Sequence, residues 1–312
     1  MPLLSSFSLN GPTGISKGGR QLEEFTRAYS FTGSAQTFAS PAETDSIQAF
    51  VWGGGGSGRG QDGGAGGFTT ATINNANNTT FKIIVGQGSN RGRQDNGCGA
   101  GYSGVFTNSW GSGYGTDQNA AICMAGAGGG GSDNSAAGAG GGNTGQAGGG
   151  RGGGGGTQTQ TNNYGGDGPG NCTAPQGHCH GRSMRGGTGC GGGERTNTGD
   201  NTWPCLIYGG GTWCSAAGGN GCNGGGGGSG YFGGGGGGSP PNSSPGGGGS
   251  GYIGGHPNHP VTNANTYTGN RSSLPPQGSN SPHYTPGISG GGRGSGQNGR
   301  VVIVYEAYQA VP

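Results

Sequence analysis

Apolar residues in this chain gather in short runs that alternate with polar and glycine-rich stretches from about residue 50 onward. Ser46-Ile47-Gln48-Ala49-Phe50-Val51-Trp52 alternates and runs straight into Gly53. Phe68 to Ile73 and Thr80 to Val85 follow, separated by Asn74-Asn75-Ala76-Asn77-Asn78. β-Branched and aromatic residues bounded by glycine and asparagine predict strands. Further strands are expected at Ala120 to Met124, at Cys205 to Tyr208 and over the C-terminal run Arg300 to Tyr305. Tyr29 to Thr32 and Gln36 to Ala39 flank Gly33-Ser34, which predicts a hairpin. Ahead of these, Gln21 to Arg27 carries Leu22 and Phe25 three apart, a spacing that predicts a helical turn. Residues 1–27 are expected to form a leader, either a docking segment for another protein or an ordered edge of the main domain. Residues 28–312 are expected to form one glycine-rich β domain, and the sequence has no regular repeat of 20–50 residues.

Composition changes this picture. Glycine occupies 90 of 312 positions and charged residues make up 8%, against an average glycine usage of about 7%. Collagen is excluded, because the glycines come in blocks such as Gly152 to Gly156 and Gly233 to Gly238 instead of at every third residue. Each glycine loses about 0.5–1 kcal/mol more conformational freedom on folding than alanine. A conventional core drawn from 26% hydrophobic residues struggles against that cost. Order is nevertheless expected: flexible tails seldom carry eight cysteines, and the glycine blocks are interleaved with apolar clusters. Extended threefold polyglycine helices have no internal hydrogen bonds, so neighbouring helices can bond to one another and satisfy their backbones. The expected fold is mainly β: an antiparallel, sandwich-like scaffold whose glycine-rich excursions form a polyglycine II bundle.

Cys98, Cys123, Cys172, Cys179, Cys190, Cys205, Cys214 and Cys222 form an even set, six of them between 172 and 222. Up to four disulfides are expected, with 105 pairings open, each contributing about 2–5 kcal/mol. Zinc on Cys172, His178, Cys179, His180 and Cys190 is the competing reading, but no CxxC pair occurs. No metal or other cofactor is expected. Twelve dispersed acidic residues nominate no general acid–base pair. The glycine strings that match GxGxxG by chance lack the strand-to-helix context of a nucleotide site. An enzyme is therefore not expected.

A formal charge of +2, with Arg59, Arg91, Arg93, Arg151, Arg182, Arg185, Arg195 and Arg293 scattered among glycines, is too sparse for nucleic-acid binding. No apolar run is long enough to cross a membrane as a helix, and Met1 to Phe7 lacks the features of a signal peptide. Export by another route or release by lysis is the expectation, with the protein on a virion surface or extracellular. Asn77, Asn78, Asn171, Asn242 and Asn270 begin N-glycosylation sequons, relevant only along a eukaryotic secretory route. Recognition is expected on aromatic loops, because tyrosine and tryptophan supply rigid contact area. The candidates are Trp110 and Tyr114, Trp203 and Trp213, and a loop from Tyr267 to Tyr284 with His256, His259 and His283 nearby. For the tryptophans, filling the scaffold or capping the glycine bundle is the favoured alternative. The proline- and asparagine-rich stretch 256–286 is the first choice for an exposed loop.

The order of motifs carries a resemblance. Phe31 to Phe38 precedes a strand ending in Trp52 and Gly53 to Gly56. Lys82-Ile83-Ile84-Val85-Gly86-Gln87-Gly88, Cys123 to Gly130, Tyr231-Phe232 with Gly233 to Gly238, Gly251 to Gly255 and Asn298 to Tyr305 then follow. Over residues 28–306 this resembles the glycine-rich domain of the anaplastic lymphoma and leukocyte receptor tyrosine kinase ectodomains, a domain type with counterparts in bacterial and phage proteins, tail-fibre adhesins among them. The resemblance implies a β scaffold carrying polyglycine helices that present loops to a receptor. Without kinase region, membrane helix or signal peptide, the expected role is a virion structural protein, a tail-fibre or capsid-decorating adhesin for host attachment. Its expected partners are other virion or filament proteins, copies of itself, and a host receptor of protein or glycan. A secreted fibril-forming protein and a ligand-binding ectodomain module are the alternatives.

Overall fold

The computed structural model describes residues 20–58, 60–89, 97–111, 115–150, 152–159, 180–187, 224–238, 244–271 and 278–310. The protein is mainly β. The strands are β1 (Arg20–Ser30), β2 (Gln36–Ala39), β3 (Ser46–Trp52), β4 (Ser57–Gly58), β5 (Phe68–Asn74) and β6 (Thr80–Ile84), then β7 (Ser103–Thr107), β8 (Ala121–Ala125), β9 (Val261–Tyr267), β10 (Gly292–Arg293) and β11 (Arg300–Ala310). One antiparallel sheet runs β1-β11-β3-β5-β9 and a second runs β2-β6-β7-β8. The pair β4 and β10 is parallel.

The two larger sheets share a core. Ile47, Ala49 and Val51 of β3, Ala71 and Ile73 of β5, and Val301 and Ile303 of β11 meet Phe38 of β2, Phe81 and Ile83 of β6, Val105 of β7 and Ile122 of β8. Alternation on β3 aims Ile47, Ala49 and Val51 inward, as expected for a strand with one core face. The outer faces are covered as well. Trp52, Phe68, Val302 and Val304 lie under Tyr284 and Ile288, while Phe106, Ala121 and Met124 lie under Met184, Tyr231 and Tyr252. Burial on both faces explains the unbroken apolar run Val301 to Tyr305.

Two local expectations are corrected. Residues 21–27 are not helical: they belong to β1, paired along its length with β11, so the boundary drawn at residue 27 falls inside a strand. Leu22 and Phe25 accordingly face opposite sides, with Phe25 stacked on Tyr305 at 5.5 Å between ring centroids. The segments around Gly33 do not form a hairpin either. β1 pairs in one sheet and β2 in the other, and Gly33, at φ 81°, turns the chain between them. The strand expected at 205–208 lies outside the described residues.

Pairing register orders the connections by end. β3, β6 and β8 run into glycine segments and β5, β7 and β11 emerge from them, all at one end of the sheets. The connections 40–45, 75–79 and 256–260 lie at the other end, where β1 starts and β11 finishes.

The glycine segments bond to one another at three-residue intervals. Gly53 and Gly56 donate to the carbonyls of Gly67 and Gly64, whereas Gly54 and Ser57 donate to Gly101 and Cys98. Ala127 and Gly130 donate to Ser229 and Gly226, and Gly128 and Gly131 to Gly54 and Ser57. Gly138 and Gly141 donate to Gly246 and Gly249; Gly225 and Gly228 donate to Ser244 and Gly247. Successive residues thus point at different neighbours, and the pattern repeats every third residue. Neighbours run parallel in some pairs and antiparallel in others.

These contacts leave no room for side chains. A Cβ on Gly54 would stand 2.6 Å from the carbonyl oxygen of Gln87, and on Gly128 or Gly247 it would overlap the carbonyl of Gly64 or Gly154. Gly128→Ala and Gly247→Ala should therefore each lower stability by about 1–3 kcal/mol or more. At Gly111 a Cβ meets only Asp117 Oδ1 at 3.6 Å, so Gly111→Ala should stay within about 0.5 kcal/mol of the parent. Denaturant titration of the three variants checks the contrast, and equal losses at all three positions would contradict it.

Candidate functional site

The sequence candidates do not converge on one surface. Trp110 is 8% exposed and sits against Phe106 at 6.1 Å between ring centroids, making it a core residue of the second sheet instead of an exposed contact. Tyr267 is the large hydrophobic residue left exposed among the described residues, at 37%. It stacks on Phe68 at 5.9 Å, and Phe68 meets Trp52 at 4.8 Å. Tyr284 is partly buried against the same cluster, 6.2 Å from Trp52, and His283 lies 4.6 Å from Phe50. Tyr267 and Tyr284 thus belong to one aromatic row on the outer face of the first sheet. Tyr114, Trp203 and Trp213 lie outside the described residues. The stretch 256–286 is not simply an exposed loop, since β9 occupies its centre as the edge strand beside β5.

Of the cysteines, Cys98 and Cys123 are described, and no disulfide joins them. Cys123 is a buried free thiol on β8, facing the shared core, and burial pushes its pKa up to about 12. Strand geometry seats it opposite Val105, so it contributes packing and not a cross-link. Cys172, Cys179, Cys190, Cys205, Cys214 and Cys222 lie outside the described residues, as does most of the alternative zinc set. Among the described residues no three His, Cys, Asp or Glu side chains gather as metal ligands. No described helix is long and apolar enough to cross a membrane.

Met184 anchors the cysteine-rich excursion to the scaffold. It is fully buried in the cluster of Tyr102, Phe106 and Trp110, with a left-handed φ of 59°. Its amide donates to Tyr231 O at 3.2 Å, and Tyr231 stacks on Tyr252 at 4.0 Å with the rings 10° apart. Burial, followed by the neighbouring Tyr252, pushes the Tyr231 hydroxyl up to about 12. The sequence offered no periodic signal for this plug, because an isolated methionine between arginines and glycines forms no strand or helix pattern.

A cleft of about 480 Å³ opens at the end of the sheets remote from the glycine segments, lined by Asp45, Ser46, Asn74, Asn75 and Asn77. Its loops are tied together. Asn74 Nδ2 donates to Pro260 O at 3.1 Å and Asn75 Nδ2 to Asn258 O at 3.2 Å, while Asn77 Oδ1 accepts from the Glu43 amide at 3.3 Å. His259 Nδ1 lies 3.1 Å from Asn75 O, and its ring meets Phe81 edge-on. Sequons Asn77, Asn78 and Asn270 are exposed; Asn171 and Asn242 lie outside the described residues.

Three outcomes are expected. A thiol reagent on the native protein should leave Cys123 unmodified, and peptide mapping that finds it labelled before unfolding would contradict its burial. Met184→Ala should cost about 2–5 kcal/mol, read by chemical denaturation, and an unchanged midpoint would remove its anchoring role. His259 and His283 are both held below the usual value of 6.5, chiefly by burial. The unfolded chain therefore takes up protons first as pH falls, so this contribution is full above 6.5 and declines below it. Replacing both histidines with asparagine should flatten the loss of stability between about pH 7 and 5; an unaltered slope would assign it elsewhere. No protein-family model and no curated protein matches this chain, so its role has to be read from its own geometry.

Proposed function

We propose that the chain is a non-enzymatic virion surface protein, a tail-fibre adhesin or capsid-decorating subunit that attaches the particle to a host surface or to a neighbouring subunit. In this reading the two facing sheets form a sandwich-like scaffold, and the glycine segments form a bundle of polyglycine II helices. The observation that carries it is the three-residue repeat of hydrogen bonds between glycine segments, with Gly128 and Gly131 on one neighbour and Ala127 and Gly130 on another. A threefold extended helix has that repeat and no internal bonds. Such a bundle is stiff without needing a large apolar core, which suits a body that holds recognition loops away from its mounting.

The chain ahead of Arg20 enters the scaffold at the end remote from the glycine segments. Edge-to-edge growth into a fibril is opposed by two features. β1 carries Arg20, Glu23, Glu24 and Arg27 along its edge, and β9 is bulged at its pairing with Thr70 and Thr72, where Asn263 adopts φ 49°. The cysteines between 172 and 222 are proposed to form disulfides within the excursion.

Mass spectrometry of the purified native particle, with and without reduction, tests the reading. The chain should be found with major capsid or tail proteins, and cross-linked peptides from 172–222 should vanish on reduction. Recovery with only copies of itself and abundant glycans would replace the virion reading with an extracellular fibril.

A further inference from the structure

The cleft lined by Asp45, Ser46, Asn74, Asn75 and Asn77 has an atom-by-atom donor and acceptor pattern. Asn74 donates both amide hydrogens, to Pro260 and Thr262, and Asn75 donates one, to Asn258, which leaves their Oδ1 atoms as acceptors and one Asn75 N–H as a donor. Asn77 spends its Oδ1 on the Glu43 amide, which leaves its NH2 group as a donor. The Asp45 carboxylate adds acceptors, and the Ser46 hydroxyl is both donor and acceptor. None of the described residues lining the cleft is a lysine or arginine. An anion would meet the Asp45 carboxylate, and a group that only donates would leave the N–H donors of Asn75 and Asn77 unpaired. Hydroxyl groups both donate and accept, so adjacent hydroxyls on a ring match this mixture.

Left-handed backbone also gathers beside the cleft. Glu43, Asn75 and Asn78 have left-handed φ of 66°, 56° and 46°, three of the six non-glycine residues with positive φ among the described residues. Glutamate gains little from that conformation, and such backbone persists where surroundings over-determine it, often at ligand sites. Three loops from separate parts of the chain, 40–45, 75–79 and 256–260, are tied into one rim by Glu43 N to Asn77 and Asn75 to Asn258. A volume of about 480 Å³ lies within the range of small-ligand pockets.

From this geometry we infer that the cleft is a binding site for a neutral saccharide, with Asp45, Asn74 and Asn75 accepting from ring hydroxyls and Asn77 donating to one. As a host-surface ligand it rests on the adhesin reading above, but the site itself is defined without it. The glycan-contacting end would then be the sandwich end, in addition to any loops presented by the glycine bundle.

The test uses the full chain and a panel of glucose, galactose, mannose and N-acetylglucosamine, with arginine amide as a cationic control. Binding is followed by chemical-shift changes of backbone amides. At least one sugar should shift the amides of residues 43–46 and 74–78. Asp45→Ala, and Asn77→Asp, which keeps an oxygen acceptor for the Glu43 amide and removes the NH2 donor, should each weaken that binding about tenfold or more with unchanged thermal unfolding. No response to any sugar, response mapping elsewhere, or a response to arginine amide alone overturns the inference. Cell-adhesion assays separate the two readings. Adhesion retained by Asp45→Ala would sink the cleft's role as the host contact and leave the adhesin standing. Sugar binding in the cleft without any adhesion would do the reverse.

Discussion

The structure depends on one constraint: backbones that hydrogen-bond sideways to several neighbours at once need positions with no Cβ. At Gly53, Gly56, Gly63 and Gly128 a single added carbon would overlap a carbonyl of the adjoining segment. Where the neighbour is that close, amide donors find acceptors, as in Gly56 to Gly64 at 2.8 Å and Gly130 to Gly226 at 2.7 Å. Buried backbone groups left unpaired would each cost about 1–3 kcal/mol, so the bonding and the missing side chains form a single requirement. The same serines recur where a side chain is tolerated: Ser57 Oγ accepts from the Cys98 amide, and Ser229 Oγ accepts from Tyr102.

The β scaffold gives this lattice its anchorage. Glycine segments leave β3 at Gly53 and β8 at Gly126 and lead into β5 at Gly67 and β11 at Gly299, so the strands fix those ends, and the excursions cover the sheets' outer faces. Tyr231, Tyr252 and Met184 lie over the second sheet, and Tyr284 and Ile288 over the first. Small apolar clusters suffice because the backbone lattice, and not side-chain packing, holds the described glycine segments.

Much of the scaffold was legible in the sequence. β3, β5, β6, β8 and the start of β11 announce themselves through alternating or continuous apolar residues next to glycine. β7 and β9 did not. Gly104 interrupts the first, and Val261-Thr262-Asn263-Ala264-Asn265-Thr266-Tyr267 is too polar to signal a strand, being an edge with few buried positions. β1 misled because Leu22 and Phe25 share a helical spacing that tertiary pairing with β11 overrides. The sequence leaves Trp110 open between contact residue and scaffold filling, because composition cannot tell a loop tryptophan from a buried one. The cleft was invisible because its residues belong to loops far apart in sequence, and only strand register brings 45, 75 and 258 together.

Amide hydrogen exchange measured residue by residue across the glycine segments is the most direct test of the lattice. Gly53, Gly56, Gly64, Gly67, Gly128, Gly130, Gly138, Gly226, Gly228, Gly246 and Gly249 donate backbone bonds to other segments. They should exchange as slowly as amides of the central strands β3 and β11, because opening one of them requires separating packed segments. Exchange at the rate of an unstructured chain in these residues, with the strands still protected, would show that the glycine segments are not held by one another and would contradict the account.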